Sequence, residues 1–309
     1  MNRDLRVLSK NKILFNRYKI IKILGEGGCS FVYLAKDTES KKYFAIKEFF
    51  PHEFVERKKS NVLLKDTLTP SQINQHNYLK ILFEKESENL KRINITKHPG
   101  IPNFISFEKE NSTSYIITDY IKSIPLQAYI KSLKSPTLLI KLTHELLLTL
   151  EHIHYYDIYH QDIKIENIRI KEDTTPLIID FGASPILYDA KLGRYFNTAS
   201  PDTAALEQLS LNYPPEINKN TDIYAIAVLL YKILTNIYPI DSKSRESIIN
   251  QGNPDPYVTL TSRKLSCFSR KTLKAIDKAL SLYPEDRYET TEEFREALKH
   301  KKRFFFNLL

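Results

Sequence analysis

The 309-residue chain predicts an α+β fold in two lobes, a small β-rich N-lobe carrying one long helix and a larger, mostly α-helical C-lobe. Short alternating apolar and aromatic runs crowd the stretch up to residue 120 and are interrupted by a single helix-period stripe. Beyond residue 125 the apolar period changes to that of helices in three separate places. A hydrophobic content of 42% at this length suffices for two cores. The natural junction lies near residues 120–125. The expected organisation is an N-terminal extension over 1–17, the N-lobe over 18–120, the C-lobe over 121–300 and an aromatic tail over 301–309.

Tyr18 to Leu24 and Phe31 to Lys36 read as two antiparallel strands, and the turn between them holds Gly25, Gly27 and Gly28, three of the seven glycines in the chain. Backbone without side chains lets amides approach an anion such as a phosphate. The same spacing also fits a plain hairpin, because the position of a third glycine in the pattern is Ser30. Tyr43 to Phe50 is the next strand, with Lys47 set among Phe44, Ala45, Ile46, Phe49 and Phe50. Such an ammonium either snorkels to water or meets a carboxylate.

The stretch from about Pro70 to Asn94 predicts a helix started at Thr69, with Leu79, Phe83, Leu90 and Ile93 on one face. Glu86 falls in that stripe, where desolvation is costly without a cation, so Lys47 is its expected partner. The window alone equally allows Glu86 at the stripe's edge, facing water. Asn103 to Lys109 and Tyr115 to Tyr120 flank a turn over Glu110 to Ser114 and complete the β-rich half. In the second half, Leu139, Leu142, Leu146, Leu150 and Ile153 form one helical stripe, and Ile223 to Leu234 and Thr272 to Leu282 form two more. The run Ile223 to Leu234 contains Lys232 and is too short for a bilayer core of ~30 Å, which takes about 20 residues. It reads as a buried helix.

The segment His160, Gln161, Asp162, Ile163, Lys164, Ile165, Glu166, Asn167, followed by Asp180, Phe181 and Gly182, carries the chemistry. Ile168 and Ile170, a turn over Lys171 to Pro176, and Leu177 to Ile179 make a strand, turn, strand unit that brings Asn167 and Asp180 to neighbouring ends of a hairpin. Two oxygen side chains there can share one magnesium ion. Asp162 is suited to accept a proton from an attacking hydroxyl and Lys164 to neutralise a phosphoryl group. An ordinary hairpin needs none of these residue types.

From Tyr18 to Leu298 the chain resembles eukaryotic-like, Hanks-type serine/threonine protein kinases. The resemblance rests, in order, on Gly25 to Val32, Ala45 to Lys47, Glu86, His160 to Asn167, Asp180 to Gly182, Ala205 to Glu207, Asp222 and Arg287. The run from Ala45 to Pro51 and the pair Glu207, Gln208 are most similar to bacterial members. The resemblance implies a bilobal kinase fold, with the long helix as the regulatory helix and the active cleft between the lobes. It implies ATP and Mg2+ as cofactors, with Mn2+ as an alternative ion. Gly25, Glu26, Gly27, Gly28, Cys29, Ser30 and Val32 would cover the nucleotide, and Ala45 and Thr118 would line its pocket. Backbone groups from Asp119 to Ile121 would meet adenine. Lys47, paired to Glu86, would grip the α and β phosphates, Asp162 would act as base, and Asn167 and Asp180 would hold the metal. Lys164 points to serine and threonine acceptors in protein substrates, and a cognate phosphatase is a further partner the resemblance allows. Glu207 with Arg287 would be a buried structural ion pair, and Asp222 would brace the catalytic loop.

Two other functions compete with this one. A pseudokinase scaffold usually lacks Lys47, Asp162 or Asp180, all present here, and small-molecule kinases lack the pattern of Ala205 to Glu207 with Arg287. Gln161 stands where many members carry an arginine that binds a phosphorylated activation segment, so activation is expected not to depend strictly on that phosphate. Thr198, Ser200 and Thr203 are candidate autophosphorylation sites. Ile165, Leu206 and the stretch Ser200 to Thr203 depart from the pattern and leave acceptor preference open.

The net charge of +9 is scattered along the chain, which describes a solvated surface, and nucleic acid is not an expected partner. Cys29 and Cys267 lie far apart, excluding a disulfide framework and a cysteine metal site. Cys29 reads as an inert small residue. No signal-peptide core occurs in Met1 to Asn11, and a cytoplasmic location is expected. The tail from Phe304 to Leu309 suits a peripheral membrane or partner contact as well as packing on the fold.

Overall fold

The alternating runs of the first third of the chain become a six-stranded antiparallel sheet, and the helix-period stripes of the remainder become buried helix faces. The computed structural model describes residues 3–132, 135–181, 187–189, 194–196, 200–209, 217–265 and 268–299. Gly182, Thr198, Cys267 and the tail from Phe304 to Leu309 lie outside the described residues. Two units result, Met1–Lys97 with Pro102–Lys122, and His98–Ile101 with Ser123–Leu309. The division by contacts thus falls after Lys122, and the short segment 98–101 belongs with the second unit.

In the first unit, a short helix α1 (Arg3–Arg6) precedes β1 (Ile13–Leu14), β2 (Tyr18–Glu26), β3 (Ser30–Asp37), β4 (Tyr43–Phe49), β5 (Val55–Lys58), β6 (Asn61–Leu64), α2 (Pro70–Ile93), β7 (Phe104–Glu110) and β8 (Thr113–Asp119). The large sheet runs β1-β2-β3-β4-β8-β7, while β5 and β6 pair as a separate hairpin. Sequence reading ended the first strand at Leu24, but β2 continues through Gly25 and Glu26, which pair with Val32 and Phe31. Ladder bonds use only main-chain groups, so glycine extends a strand past the point where side-chain patterning stops. The turn shrinks accordingly, closed by Gly27 N–H donating to Ser30 O at 2.9 Å.

Cross-strand partners share a face, so the register sorts the sheet into two surfaces. Gly25, Val32, Lys47 and Ile116 make one rung, and Leu34, Ala45 and Thr118 the next. The alternate residues Phe31, Tyr33, Ile46, Tyr115 and Ile117 fill a core together with Leu8, Leu14, Phe50, Phe54, Val55 and Val62. The segment expected as an extension therefore contributes to the core, Leu8 and Leu14 being 5% and 0% exposed. The β5–β6 hairpin carries no strong strand pattern and lay outside the sequence expectation.

Thr69 starts α2 through a reciprocal cap, its hydroxyl accepting from Gln72 N–H while the Gln72 side chain accepts from Thr69 N–H. Such a cap is worth roughly 1 kcal/mol. Leu82, Phe83, Glu86, Ser87, Leu90 and Ile93 form the buried face.

The second unit contains β9 (Ser123–Pro125), α3 (Leu126–Ile130), α4 (Pro136–His154), β10 (Ile168–Lys171), β11 (Pro176–Ile178), β12 (Leu187–Asp189), β13 (Arg194–Phe196), α5 (Leu206–Leu209), α6 (Lys219–Thr235), α7 (Ser242–Asn250), α8 (Arg270–Ala279) and α9 (Thr291–Leu298). The predicted stripe of α4 is buried, and α6 is buried along the whole run from Thr221 to Tyr231. No helix among the described residues is long and apolar enough to cross a membrane. The strands β10 and β11 form the expected hairpin, with β9 on the far side of β10. Gly100 O accepts from Ile178 N–H at 2.9 Å, and a Cβ at Gly100 would lie 2.1 Å from Thr149 Oγ1. Only glycine lets this segment approach α4 so closely.

Candidate active site

Two groups of candidate side chains form, one within each unit. In the first, the rung register presents Lys47 beside Val32 and Ile116, and the inward stripe of α2 carries Glu86 to it. Lys47 Nζ donates to Glu86 Oε1 and Oε2 at 2.7 and 2.8 Å. Glu86 is therefore inside the stripe and paired, the more demanding of its two expected positions.

The glycine hairpin lies on the same strands. A Cβ at Gly25 or Gly28 would meet no atom within 4 Å, and one at Gly27 only Ser30 at 3.5 Å. Neither packing nor a left-handed backbone at these positions demands glycine, so the open space they leave fits a group that approaches the backbone. Cys29 is half-buried and its carbonyl accepts from Phe50 N–H at 2.8 Å. Thr118 and Ala45 sit opposite one another on the Lys47 face. Asp119 has a structural engagement that sequence reading did not reveal. Its carboxylate accepts from Asn103 N–H and Nδ2 at 2.6 and 2.7 Å, and its own amide donates to Asn103 O. Tyr120 N–H donates to Tyr43 O, so the amides of residues 119 and 120 already serve the protein.

In the second unit Asp162 is held from three sides. Asn167 Nδ2 donates to Asp162 O at 2.9 Å and to its Oδ2 at 2.8 Å, Lys164 Nζ lies 2.7 Å from Oδ2, and Ser200 Oγ donates to Oδ1 at 2.9 Å. Lys164 Nζ also donates to Ser200 Oγ at 2.8 Å. With its amide nitrogen committed to Asp162, Asn167 has Oδ1 as the atom for a cation. Asp180 is brought near by the β10–β11 hairpin, since Ile179 N–H donates to Asn167 O at 2.9 Å. Two hard oxygen donors at a hairpin end suit a divalent ion that completes its shell with phosphate and water.

The backbone beneath is fixed by Asp222, fully buried at the first turn of α6. It accepts from His160 N–H at 2.9 Å and Gln161 N–H at 2.7 Å, and lies 2.8 Å from His154 Nε2. Burial alone would raise the Asp222 carboxyl, but the His154 contact, the charge of the His160 ring and the Gln161 amide hold it below its ordinary range. Burial also lowers His160, whose ring packs 5.0 Å from Phe181. Gln161 and Asp180 have φ of 65° and 66°. A non-glycine residue there costs about 1–2 kcal/mol, and the surrounding hydrogen bonds hold it in place. Gln208 adds one, its Nε2 donating to Gln161 O at 2.9 Å while its Oε1 accepts from Ala205 N–H.

Glu207 and Arg287 form the expected buried pair at 2.8 Å. Sequence reading missed Ser200 as a partner of Asp162, His154 as a partner of Asp222, and Gln208. No local pattern marks them, because each meets its partner from a distant part of the chain. Ser200, foreseen as a phosphate acceptor, has its hydroxyl engaged by Asp162 and Lys164, and Thr203 is buried.

A protein kinase domain model matches residues 18–302, and the chain belongs to the protein kinase family. Its relatives include serine/threonine-protein kinase C of Synechocystis sp., 28% identical over 93% of this chain and 50% of that protein. Serine/threonine-protein kinase PknD of Chlamydia pneumoniae is 26% identical over 92% and 31%, and PrkC of Bacillus subtilis 24% identical over 93% and 41%. These relatives are bacterial, as the run from Ala45 to Pro51 led one to expect, and the chain spans half or less of their length. Among solved structures, PpkA-294 in its apo form is 27% identical with a TM-score of 0.80, covering 95% of this chain and 100% of that one. The PknI kinase domain of Mycobacterium tuberculosis, at 17% identity and a TM-score of 0.65 over 94% and 98%, shares the fold. The family implies ATP and a divalent metal as cofactors.

Proposed function

We propose that the protein transfers the γ-phosphoryl group of ATP to serine or threonine hydroxyls of protein substrates. The observation that carries this reading is the surroundings of Asp162. A serine hydroxyl of the chain itself, that of Ser200, donates to Asp162 Oδ1, and Lys164 stands beside both. The carboxylate thus accepts a hydrogen bond from the type of group that the reaction consumes.

In the proposed reaction the acceptor oxygen attacks the γ-phosphorus, the bond from that phosphorus to the bridging oxygen of ADP breaks, and the acceptor proton passes to Asp162. Lys164 neutralises charge near the transferred group, and Lys47, oriented by Glu86, neutralises the α and β phosphates. Gly25, Gly27 and Gly28 leave the hairpin backbone open to the phosphates. Asn167 and Asp180 would hold magnesium, with manganese as an alternative, and that ion would supply charge compensation at the phosphates.

The fixed backbone of Gln161 supports activation without strict need of a phosphorylated activation segment, because Asp222 and Gln208 already hold the loop. We place the protein in the cytoplasm, with a protein substrate as its partner. Transfer from labelled ATP to generic protein acceptors tests the reading. Asp162→Asn and Asp180→Ala are expected to lower the rate at least ~100-fold each while remaining folded. Unchanged labelling in both variants would end the proposal.

A further inference from the structure

The core face of the sheet brings the N-terminal segment to the glycine hairpin. Glu26 pairs with Phe31 in the register, and Phe31 with Glu48, so the Glu26 side chain stands on the face opposite Lys47. There Arg6 Nη2 meets Glu26 Oε1 at 3.1 Å, with the guanidinium carbon 6.0 Å from the centre of the Phe31 ring. Arg6 Nε is buried without a hydrogen-bond partner among the described residues, so the placement of this side chain carries a cost that its contact with Glu26 offsets.

The segment bearing Arg6 is itself tied down. Arg57 Nε donates to Arg6 O at 2.7 Å, and Leu8 N–H donates to Tyr33 Oη at 3.1 Å. Both ties end on one buried carboxylate, Glu48. Tyr33 Oη donates to its Oε2 at 2.8 Å, Tyr115 Oη to its Oε1 at 2.8 Å, and Arg57 Nη2 to its Oε2 at 2.5 Å. Glu48 is fully buried and adjoins Lys47 in β4. A continuous chain of bonds therefore runs from the strand of Lys47, through Arg57 and the N-terminal segment, to the hairpin.

We propose that Arg6 is a positioning residue for the glycine hairpin. It ties Glu26 on the core side of the sheet, which limits the hairpin's excursion. This rests on the reading of the hairpin as the nucleotide loop. Sequence resemblance placed Glu26 among the nucleotide-binding residues; here its contribution is main-chain, with the side chain turned away and held by Arg6.

The test combines amide hydrogen exchange with kinetics on the full chain, using Arg6→Ala, Glu26→Gln and the double variant. Exchange at the Gly27 amide, bonded to Ser30 O across the turn, is expected to accelerate in Arg6→Ala. The KM for ATP is expected to rise about threefold in each single variant and no further in the double, with kcat at saturating ATP little changed. Unchanged exchange at Gly27, an unchanged KM in active enzyme, or a double variant in which the two effects multiply would each overturn the proposal. If the wild type shows no ATP-dependent transfer, the kinase reading falls, and Gly27 exchange alone then decides whether Arg6 holds the hairpin.

Discussion

Lys47 with Glu86 in the first unit and Arg287 with Glu207 in the second are both cation–carboxylate pairs between distant parts of the chain, yet they are built for different ends. Arg287 is closed. Its Nε donates to Ser281 O, Nη1 to Glu207 Oε1 and Asn220 O, and Nη2 to Glu207 Oε2 and Leu282 O. Glu207 takes a further bond from Thr221 Oγ1, and the two side chains are 0% and 1% exposed. The Lys47 side chain keeps 17% of its surface accessible and stands on the sheet face beside the glycine hairpin. The same charges are therefore closed off completely in one place and left partly accessible in the other; what differs is how far the surrounding protein encloses the cation.

The largest test of this contrast is Arg287→Ala. It leaves Glu207 buried and unpaired, and a urea melt is expected to show a loss of about 3–5 kcal/mol, with activity falling only as folded protein falls. Lys47→Met should do the reverse, lowering kcat/KM by about 100- to 1000-fold in protein whose loss of stability is smaller than that of Arg287→Ala. Equal stability losses, with activity retained in folded Lys47→Met, would erase the distinction.

The smallest test concerns a contact that depends on the absence of charge. His98 stacks on His152 at 4.9 Å and accepts from Gly100 N–H at Nδ1. Burial, then the charges of His152 and Lys171, lower its pKa to about 4. A folded pKa below the unfolded value of about 6.5 means that this contribution is complete above pH 6.5 and is lost as pH falls towards 4. For a half-buried ring the effect is about 1 kcal/mol or less. His98→Asn, which retains an acceptor for Gly100, should flatten the pH dependence of the urea midpoint across that window.

Much of the fold was legible because periodicity reports which side of an element is buried. The sheet strands, the Thr69 start of α2, the stripe of α4 and the β10–β11 hairpin all follow from local pattern. Glu86 was legible only in part, since its window allowed the stripe or its edge equally, and the resemblance that pairs it with Lys47 favoured the inward position. The β5–β6 hairpin escaped because its sequence, Val55 to Leu64, is rich in charge and held by Arg57 and the core instead of by alternation. Ser200, Gln208 and His154 escaped because a hydroxyl, an amide and an imidazole carry no sign of which distant backbone or carboxylate they will meet. The end of β2 was misjudged where glycine removed the side-chain signal but kept the main-chain bonds.

By itself the sequence determined the chemical groups and the period of each element: a lysine in a strand, a carboxylate in a helix stripe, Asp162, Asn167 and Asp180 around a hairpin, and glycines where a backbone is left open. Only the tertiary structure decided how those groups are used. It turned Asp119 onto Asn103, placed the Ser200 hydroxyl on Asp162, drew Arg6 to Glu26 and separated the closed Arg287 pair from the open Lys47 pair. The reason is physical. Period follows from local backbone geometry, whereas desolvation and hydrogen-bond saturation depend on every group that packs around a side chain, and those groups come from far along the chain.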